Sequence, residues 1–246
     1  MSPNTHYRER STLRAVRNDP QFKLVQSANG YLVHGIPLQD GEDGKYVVEF
    51  VNSWKLDFGR PRTCRDWTSY MSERDHKDFG PATAPQLCAL IDTLEQNRKH
   101  PAYGQVIAGI RSSFPVSTQF ATTSFVQYLP SREIVHHQHG SRDFKIEEHI
   151  AGASAYLTEN APNLGAKCKA LLGTRDAGRV NAAFKWLTDQ DIALMLREKT
   201  PKYETRFVTF GNRQVFEGAD HYMIDADCAP AEKLNAIAFK IVDRIA

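Results

Sequence analysis

Short stretches near the start of the chain are rich in apolar residues and are separated by turn residues, which is typical of β-strands. The stretches FKLVQS and YLVHGI flank the tripeptide at 28–30, and its Asn29-Gly30 pair supplies the positive φ angles that a tight hairpin turn needs. After the turn-forming sequence GEDG at 41–44, the segment Lys45–Trp54 is rich in Val and aromatic residues. We therefore predict a hairpin and a third strand in this part of the chain.

The apolar spacing then changes to that of helices. The clearest case is 85–98, where Pro85 suits a first helical turn and the apolar residues recur on one face, namely Leu87, Leu90, Ile91 and Leu94. Weaker patterns predict helices over 65–78, which ends near Gly80-Pro81, and over 103–112.

The second half of the chain repeats this alternation. Runs at 122–129 and 133–139, separated by Pro130-Ser131-Arg132, predict a second hairpin. Residues 162–199 are expected to be helical in segments broken by Gly173 and Gly178, and strands are expected again at 203–210 and 221–227. A last helix is predicted from Pro230, because one apolar face is formed by Leu234, Ile237, Ala238, Ile241 and Ile245.

This order of elements lacks strict βαβ alternation. It favours an α+β fold with a mixed, mainly antiparallel sheet and helices packed on it. The chain has 246 residues, of which 41% are hydrophobic, and this is enough for one sizeable core. We expect a flexible, Arg-rich arm over 1–20 and a single domain over 21–246; ENAPN at 159–163 is the best candidate for a seam between domains.

Composition excludes some classes of protein. The net charge is only +2, so any nucleic-acid binding would depend on a local basic patch. The four cysteines are scattered without a CxxC spacing, which favours free thiols in a reducing compartment over a zinc site. The first 20 residues lack the apolar segment of a secretory signal, and we expect a cytoplasmic protein, in the host cytoplasm if the source is viral.

Three of the nine histidines lie close together in EIVHHQH, residues 133–139. On a strand, His137 and His139 point to the same face, where they could act as acid/base groups or as ligands of a divalent metal ion. The candidates to complete such a metal site are the nearby Asp143, Glu147 and His149 and the distant His221, Asp225 and Asp227. Asp225 and Asp227 share one face of HYMIDAD, which suits a hard cation. The alternative is a strand end whose imidazoles are solvated or bonded to the backbone.

Arginines cluster in FGRPRTCRDW, residues 58–67, where Arg60, Arg62 and Arg65 surround a predicted helix start at Cys64 or Arg65 that Thr63 can cap. Free backbone N–H groups and guanidinium forks together suit a phosphate or carboxylate, and Trp67 could stack on a base. The alternative is a loop of solvent-exposed arginines that pair locally.

The leading hypothesis is an enzyme acting on a phosphate-bearing substrate, a nucleotide or a nucleic acid, with the arginines holding the anion. His137 and His139 would supply acid/base chemistry or bind the metal. Sequences typical of a P-loop, a Rossmann turn, a nucleophile elbow or a zinc protease do not occur. The alternatives are a non-catalytic nucleic-acid-binding protein and a structural or protein-interaction protein. A side possibility is that Cys64, at the predicted helix start, is a nucleophile of lowered pKa with His137 as its base.

Overall fold

The computed structural model describes residues 21–38, 45–51, 56–73, 79–139, 142–159, 161–199, 202–211 and 221–245. The predicted arm over 1–20 and the predicted turn at 41–44 lie outside these ranges. The strands are β1 (Lys23–Gln26), β2 (Tyr31–Ile36), β3 (Lys45–Val51), β4 (Arg62–Thr63), β5 (Gly80–Pro81), β6 (Phe120–Tyr128), β7 (Glu133–His139), β8 (Arg142–Glu147), β9 (Ala155–Tyr156), β10 (Ile192–Met195), β11 (Glu204–Gly211), β12 (Tyr222–Cys228), β13 (Lys233–Ala236) and β14 (Ala238–Ile245). The helices are α1 (Cys64–Ser69), α2 (Ala84–Gln96), α3 (Gly104–Ser113), α4 (Leu164–Leu172) and α5 (Ala177–Thr188).

The chain has an α+β fold with two mainly antiparallel sheets, where we predicted one. The first sheet has the order β1-β2-β3-β14-β5 and is antiparallel throughout. The second has the order β4-β13-β6-β11-β12-β10-β9, and β7 and β8 branch from β6. Strand β6 pairs with β13 through its first residues and with β7 through its later ones, so it is the centre of this sheet.

One large hydrophobic cluster connects the two sheets to the helices. It contains Val33 and Val48 from the first sheet, Phe120 and Ile224 from the second, and Leu90 from α2. The predicted apolar face of α2 is confirmed, since its four leucine and isoleucine residues are all buried. None of the helices in the described ranges is long and apolar enough to cross a membrane.

Helix α2 begins one residue before the predicted start, at a capping box. Thr83 accepts a hydrogen bond from the Gln86 N–H, and the Gln86 side chain accepts one from the Thr83 N–H. The Ala84 N–H, which has no partner inside the helix, donates to the Ser124 hydroxyl on β6 at 2.9 Å. This bond fixes the start of α2 against the second sheet.

The predicted C-terminal helix is wrong. Residues 233–236 and 238–245 form β13 and β14, and β14 lies between β3 and β5. Apolar residues recur every three to four positions here, but the segment is also rich in β-branched and aromatic residues. Pairing with seven residues of β3 satisfies the backbone of β14, and this tertiary pairing overrides the local helical spacing.

The segment 162–199 is only partly helical. Gly173 ends α4 with a φ of 82°, as its position predicts, whereas Gly178 lies inside α5. Residues 192–195 form β10, which pairs in parallel with β12. This strand is only four residues long and buried on both faces, so it shows no alternation that would separate it from a helix.

Both predicted hairpins are confirmed. Four residues, 27–30, connect the paired residues Gln26 and Tyr31, and Gly30 is not among the glycines with positive φ. Glycine is needed there for space instead, because an added Cβ would lie 2.3 Å from the Phe50 carbonyl oxygen.

Candidate functional site

His137 is buried and both of its ring nitrogens are bonded inside the protein. Its Nδ1 lies 2.7 Å from the Ser124 Oγ, and its Nε2 lies 2.8 Å from the Ala170 carbonyl oxygen. A carbonyl oxygen only accepts, so Nε2 carries the proton and Nδ1 accepts from the serine hydroxyl. Burial lowers the pKa of His137 to about 4, so the imidazole is neutral at physiological pH. These contacts connect β6, β7 and α4.

His139 points to the same face as His137, as predicted, and both line a small cavity beside the start of α2. That cavity has a volume of about 20 Å³, which is room for little more than one water molecule. His136, on the opposite face, stacks on Phe125 and lies 3.0 Å from an Asp143 carboxylate oxygen. The histidine cluster therefore offers no space for a nucleotide.

The predicted metal site is not formed. His137 and His139 lie on β7, and Asp225 and Asp227 lie on β12, with β6 and β11 between them. Neighbouring strands are about 4.8 Å apart, so three strand spacings place the two pairs about 14 Å apart, far too distant to share an ion. Within the described ranges, no three His, Cys, Asp or Glu side chains are grouped to hold a metal ion.

The two aspartates have other contacts. Asp225 is fully buried and accepts a hydrogen bond from the Asp227 N–H at 2.8 Å. Asp227 pairs with Arg197 at 3.1 Å and with Arg206 at 3.4 Å. Asp227 therefore links β12 to Arg206 on β11, and Asp225 bonds within β12.

Arg62, the central residue of the predicted anion site, is bound by two carboxylates. Its Nε donates to Asp57 at 3.0 Å, and its Nη1 donates to both oxygens of Glu73 at 2.7 and 2.9 Å. The guanidinium carbon also lies 4.8 Å from the centre of the Tyr70 ring. Two negative charges surround one positive charge, so the immediate surroundings of Arg62 repel a phosphate.

The loop before Arg62 is held in an uncommon conformation. Asp57, Phe58 and Gly59 have φ values of 48°, 56° and 76°, so three successive residues lie in the left-handed region. The Asp57 carboxylate accepts a hydrogen bond from Arg62, and the Asp57 backbone N–H donates to the Tyr70 hydroxyl at 3.3 Å. We infer that these bonds offset the backbone strain, which makes Arg62 a structural residue of this loop.

The other residues of the predicted anion site divide into two groups. Arg60 and Arg65 are exposed, and Arg65 lines an open surface groove together with Tyr203. Trp67 is only 1% exposed and donates from Nε1 to the Leu234 carbonyl oxygen at 2.7 Å, so it is not available to stack on a base. Thr63 caps α1, as predicted, through a bond from the Asp66 N–H at 3.1 Å.

The prediction that Cys64 is a nucleophile of lowered pKa is wrong. Its thiol is buried, and its Sγ lies 3.8 Å from the Cys228 Sγ. The hydrogen bond with Cys228 and burial both raise the pKa of Cys64, whereas we predicted a lowered pKa. A thiol that stays protonated is a poor nucleophile.

A different part of the molecule has the geometry of a ligand site. An apolar cavity of about 130 Å³ lies between α2, α4 and α5. Its walls are lined mainly by apolar side chains, and its lining residues are Pro37, Pro85, Cys88, Ala89, Asp92, Leu172, Thr174, Arg179, Val180, Ala183 and Phe184. We refer to this space as the interhelical cavity.

Charged side chains lie at one end of the interhelical cavity. Arg179 donates from Nε to the Asp92 carboxylate and from Nη2 to the Glu95 carboxylate. The second Asp92 oxygen accepts from Gln96 at 2.6 Å. Burial raises the pKa of Asp92, although Arg179 acts in the opposite direction. A half-buried carboxylate of perturbed pKa beside a cavity is a common feature of binding sites.

Polar groups also lie close to the apolar end of the cavity. Cys88 lines it, and burial raises the pKa of this thiol well above its ordinary value. Tyr222 packs against the lining residue Phe184, with ring centres 5.7 Å apart. The Tyr222 hydroxyl is fully buried and has no hydrogen-bond partner in the described part of the chain.

The interhelical cavity was not predicted from the sequence, although one of the two helical faces that line it is recognisable there. Pro85, Cys88, Ala89 and Asp92 follow the spacing of one helical face, and that face ends in a charge. Its pairing with the other face had no signal in the sequence, because Arg179 lies 87 residues from Asp92 and only the fold brings them together.

The fold and the interhelical cavity together define an α+β chain with a partly open, mainly apolar pocket of small-molecule size. Comparison with protein-family models, with curated proteins and with solved structures gave no match. The function must therefore be inferred from the chain's own geometry.

Proposed function

We propose that this chain binds a small molecule in the interhelical cavity, and that the ligand has an apolar body and one cationic or hydrogen-bond-donating group. The observation that supports this is a partly open, mainly apolar cavity of about 130 Å³ that the Asp92 carboxylate helps to line. An engineered apolar cavity of about 150 Å³ binds benzene, so this volume suits a ring of about six carbon atoms.

The Asp92 carboxylate at the charged end of the interhelical cavity favours a ligand with an amine over a ligand with a carboxylic acid. Arg179 is shared between Asp92 and Glu95, and Arg98 also pairs with Glu95 at 2.7 Å, so the charges of these four groups balance and Asp92 is the carboxylate that lines the cavity. A ligand ammonium group beside Asp92 would offset the burial of that carboxylate, whereas a ligand carboxylate would be repelled. A neutral hydroxyl donor should bind with intermediate affinity.

Three probes of one shape test this proposal, namely benzylamine, benzyl alcohol and benzoate. We expect benzylamine to bind with a Kd of about 1 mM, which is typical of a fragment of this size, and to bind more tightly than the other two. At ten times the Kd, it should stabilise the protein by about 1.4 kcal/mol and raise the Tm by about 3–5 °C. Isothermal titration calorimetry and thermal unfolding measure both quantities.

A pair of variants that add the same side chain at two positions shows whether the probes bind in the interhelical cavity. Ala89→Leu fills the interhelical cavity and should abolish binding, whereas Ala108→Leu adds the same side chain on the exposed face of α3 and should retain it. Asp92→Asn should remove the preference for benzylamine over benzyl alcohol. If none of the probes binds, or if Ala89→Leu binds them as the original chain does, the proposal is wrong.

The hypothesis of a phosphate-bearing substrate, a nucleotide or a nucleic acid, remains a prediction. The observation in its favour is that Arg60 and Arg65 are exposed. Titration with adenosine monophosphate and with a short single-stranded oligonucleotide, at low and high salt, tests it, because phosphate contacts weaken steeply with salt. Binding lost in Arg60→Ala/Arg65→Ala and retained in Ala89→Leu would support it.

A further inference from the structure

Two of the four cysteines, Cys64 and Cys228, are in contact. Their sulfur atoms lie 3.8 Å apart in a buried environment, although 164 positions separate them in the sequence. Both belong to a small hydrophobic cluster that also contains Trp67 and Phe207. Cys88 and Cys168 lie in the main core, away from this pair.

Backbone contacts hold the two cysteines in place. The Cys64 N–H donates to the Glu232 carbonyl oxygen at 2.9 Å, and the next residue donates to the Pro230 carbonyl oxygen at 3.2 Å. Cys228 is the last residue of β12, directly before the turn that contains both acceptors. The start of α1 is therefore fixed against the turn that follows β12, and the two thiols face each other for this reason.

We propose that Cys64 and Cys228 form an intramolecular disulfide bond when the folded chain meets a low-molecular-weight disulfide such as oxidised glutathione. A disulfide has an S–S distance of about 2.05 Å, so the sulfurs must approach by about 1.8 Å, within reach of side-chain rotation and a small backbone shift. The pair then becomes a covalent link between α1 and the end of β12.

The exchange reaction consumes one molecule of oxidised glutathione and releases two molecules of reduced glutathione. One cysteine thiolate attacks the oxidised glutathione, forms a mixed disulfide and releases one glutathione thiolate. The second cysteine thiolate attacks the sulfur of the first cysteine and releases the second glutathione. The two protein thiols lose two protons and two electrons, and the oxidised glutathione gains them. Because the thiols are buried, we expect this exchange to proceed through local opening or during folding.

Equilibration in glutathione buffers tests the proposal with the full chain. The folded chain, and a parallel sample in concentrated urea, are equilibrated at a series of ratios of the squared concentration of reduced glutathione to the concentration of oxidised glutathione. Free thiols are then alkylated, and the peptides are identified by mass spectrometry. We expect a single disulfide that joins the peptides of Cys64 and Cys228, with Cys88 and Cys168 alkylated. The glutathione ratio at half-oxidation should be about tenfold higher for the folded chain than for the chain in concentrated urea, because folding places the thiols together.

The outcome can contradict the proposal in three ways. Equal midpoints in buffer and in urea would show that the fold does not favour the bond. Four alkylated thiols at every ratio, or a disulfide that includes Cys88 or Cys168, would also overturn it. Cys168→Ser should retain the bond and Cys228→Ser should remove it, and the comparison of folded and unfolded wild-type chain remains decisive if either variant fails to fold.

Discussion

Acidification should destabilise this fold through the imidazole of His137. In the folded chain, burial lowers the pKa of His137 to about 4, whereas an unfolded histidine has a pKa of about 6.5. Between these values the unfolded chain binds a proton that the folded chain does not bind. Stability from this group is therefore fully present above pH 6.5 and is lost as the pH falls towards 4.

The size of this effect follows from the difference between the two pKa values. The unfolded pKa of 6.5 and the folded pKa of about 4 correspond to a free-energy difference of about 3 kcal/mol, a large fraction of the stability of an ordinary domain. Burial is the main cause of the lowered pKa, and a protonated imidazole would also place a second N–H against Ser124, whose hydroxyl oxygen already accepts from the Ala84 N–H.

Urea unfolding at pH 7, 6, 5 and 4, followed by circular dichroism, measures the loss. His137→Gln keeps a hydrogen-bonding side chain but cannot be protonated in this range, so its stability should fall by about 3 kcal/mol less than that of the original chain between pH 7 and pH 4. His149→Gln changes a histidine side chain that is 80% exposed, although its ring lies 3.5 Å from the buried Glu133 carboxylate, and it serves as the control, which should show at least the full loss. If His137→Gln and the original chain have the same pH dependence, the assignment of a neutral, buried His137 is refuted.

Three further substitutions test single structural claims by urea unfolding. Gly30→Ala should destabilise by about 1–3 kcal/mol, since its Cβ would lie 2.3 Å from the Phe50 carbonyl oxygen. Gly104→Ala is the control, because its Cβ meets no atom within 4 Å, and equal effects of the two substitutions would contradict the steric explanation. Arg62→Lys should cost about 1–2 kcal/mol because lysine cannot bridge Asp57 and Glu73 with a planar fork, and a change below about 0.5 kcal/mol would show that the loop does not depend on it. Tyr222→Phe removes a fully buried hydroxyl without a partner in the described residues and should be neutral or stabilising, so a loss above about 1 kcal/mol would reveal a missed hydrogen bond.

Features that depend on neighbouring residues were predicted well. The two hairpins, the apolar face of α2 and the Thr63 cap are set by residues within a few positions of each other, and each is confirmed. The side-chain alternation of β7 was also predicted, and His137 and His139 share a face and a cavity. Local periodicity is sufficient for such features because the structures themselves are local.

Chemical roles were predicted poorly, because they depend on distant partners. Arg62 resembled a free anion-binding residue in the sequence, and the fold places Glu73 against it. His137 resembled a titratable group near neutral pH, and the fold buries it and bonds it to Ala170, a residue 33 positions away. In both cases the residue type was correct for the proposed chemistry, and the surroundings assign it to structure.

The error at the C-terminus explains why the cysteine pair was missed as well. A helix from Pro230 would leave β4 without a partner, whereas the strand β13 pairs Lys233 with Thr63 and brings the preceding turn beside Cys64. The contact between Cys64 and Cys228 is therefore a consequence of strand pairing that closes the chain end onto the loop before α1. If those residues formed a helix, the two thiols would be separated, and the scattered positions of the cysteines would then indicate four independent free thiols. Because residues 233–236 instead form the strand β13, Cys64 and Cys228 are brought together as a candidate disulfide.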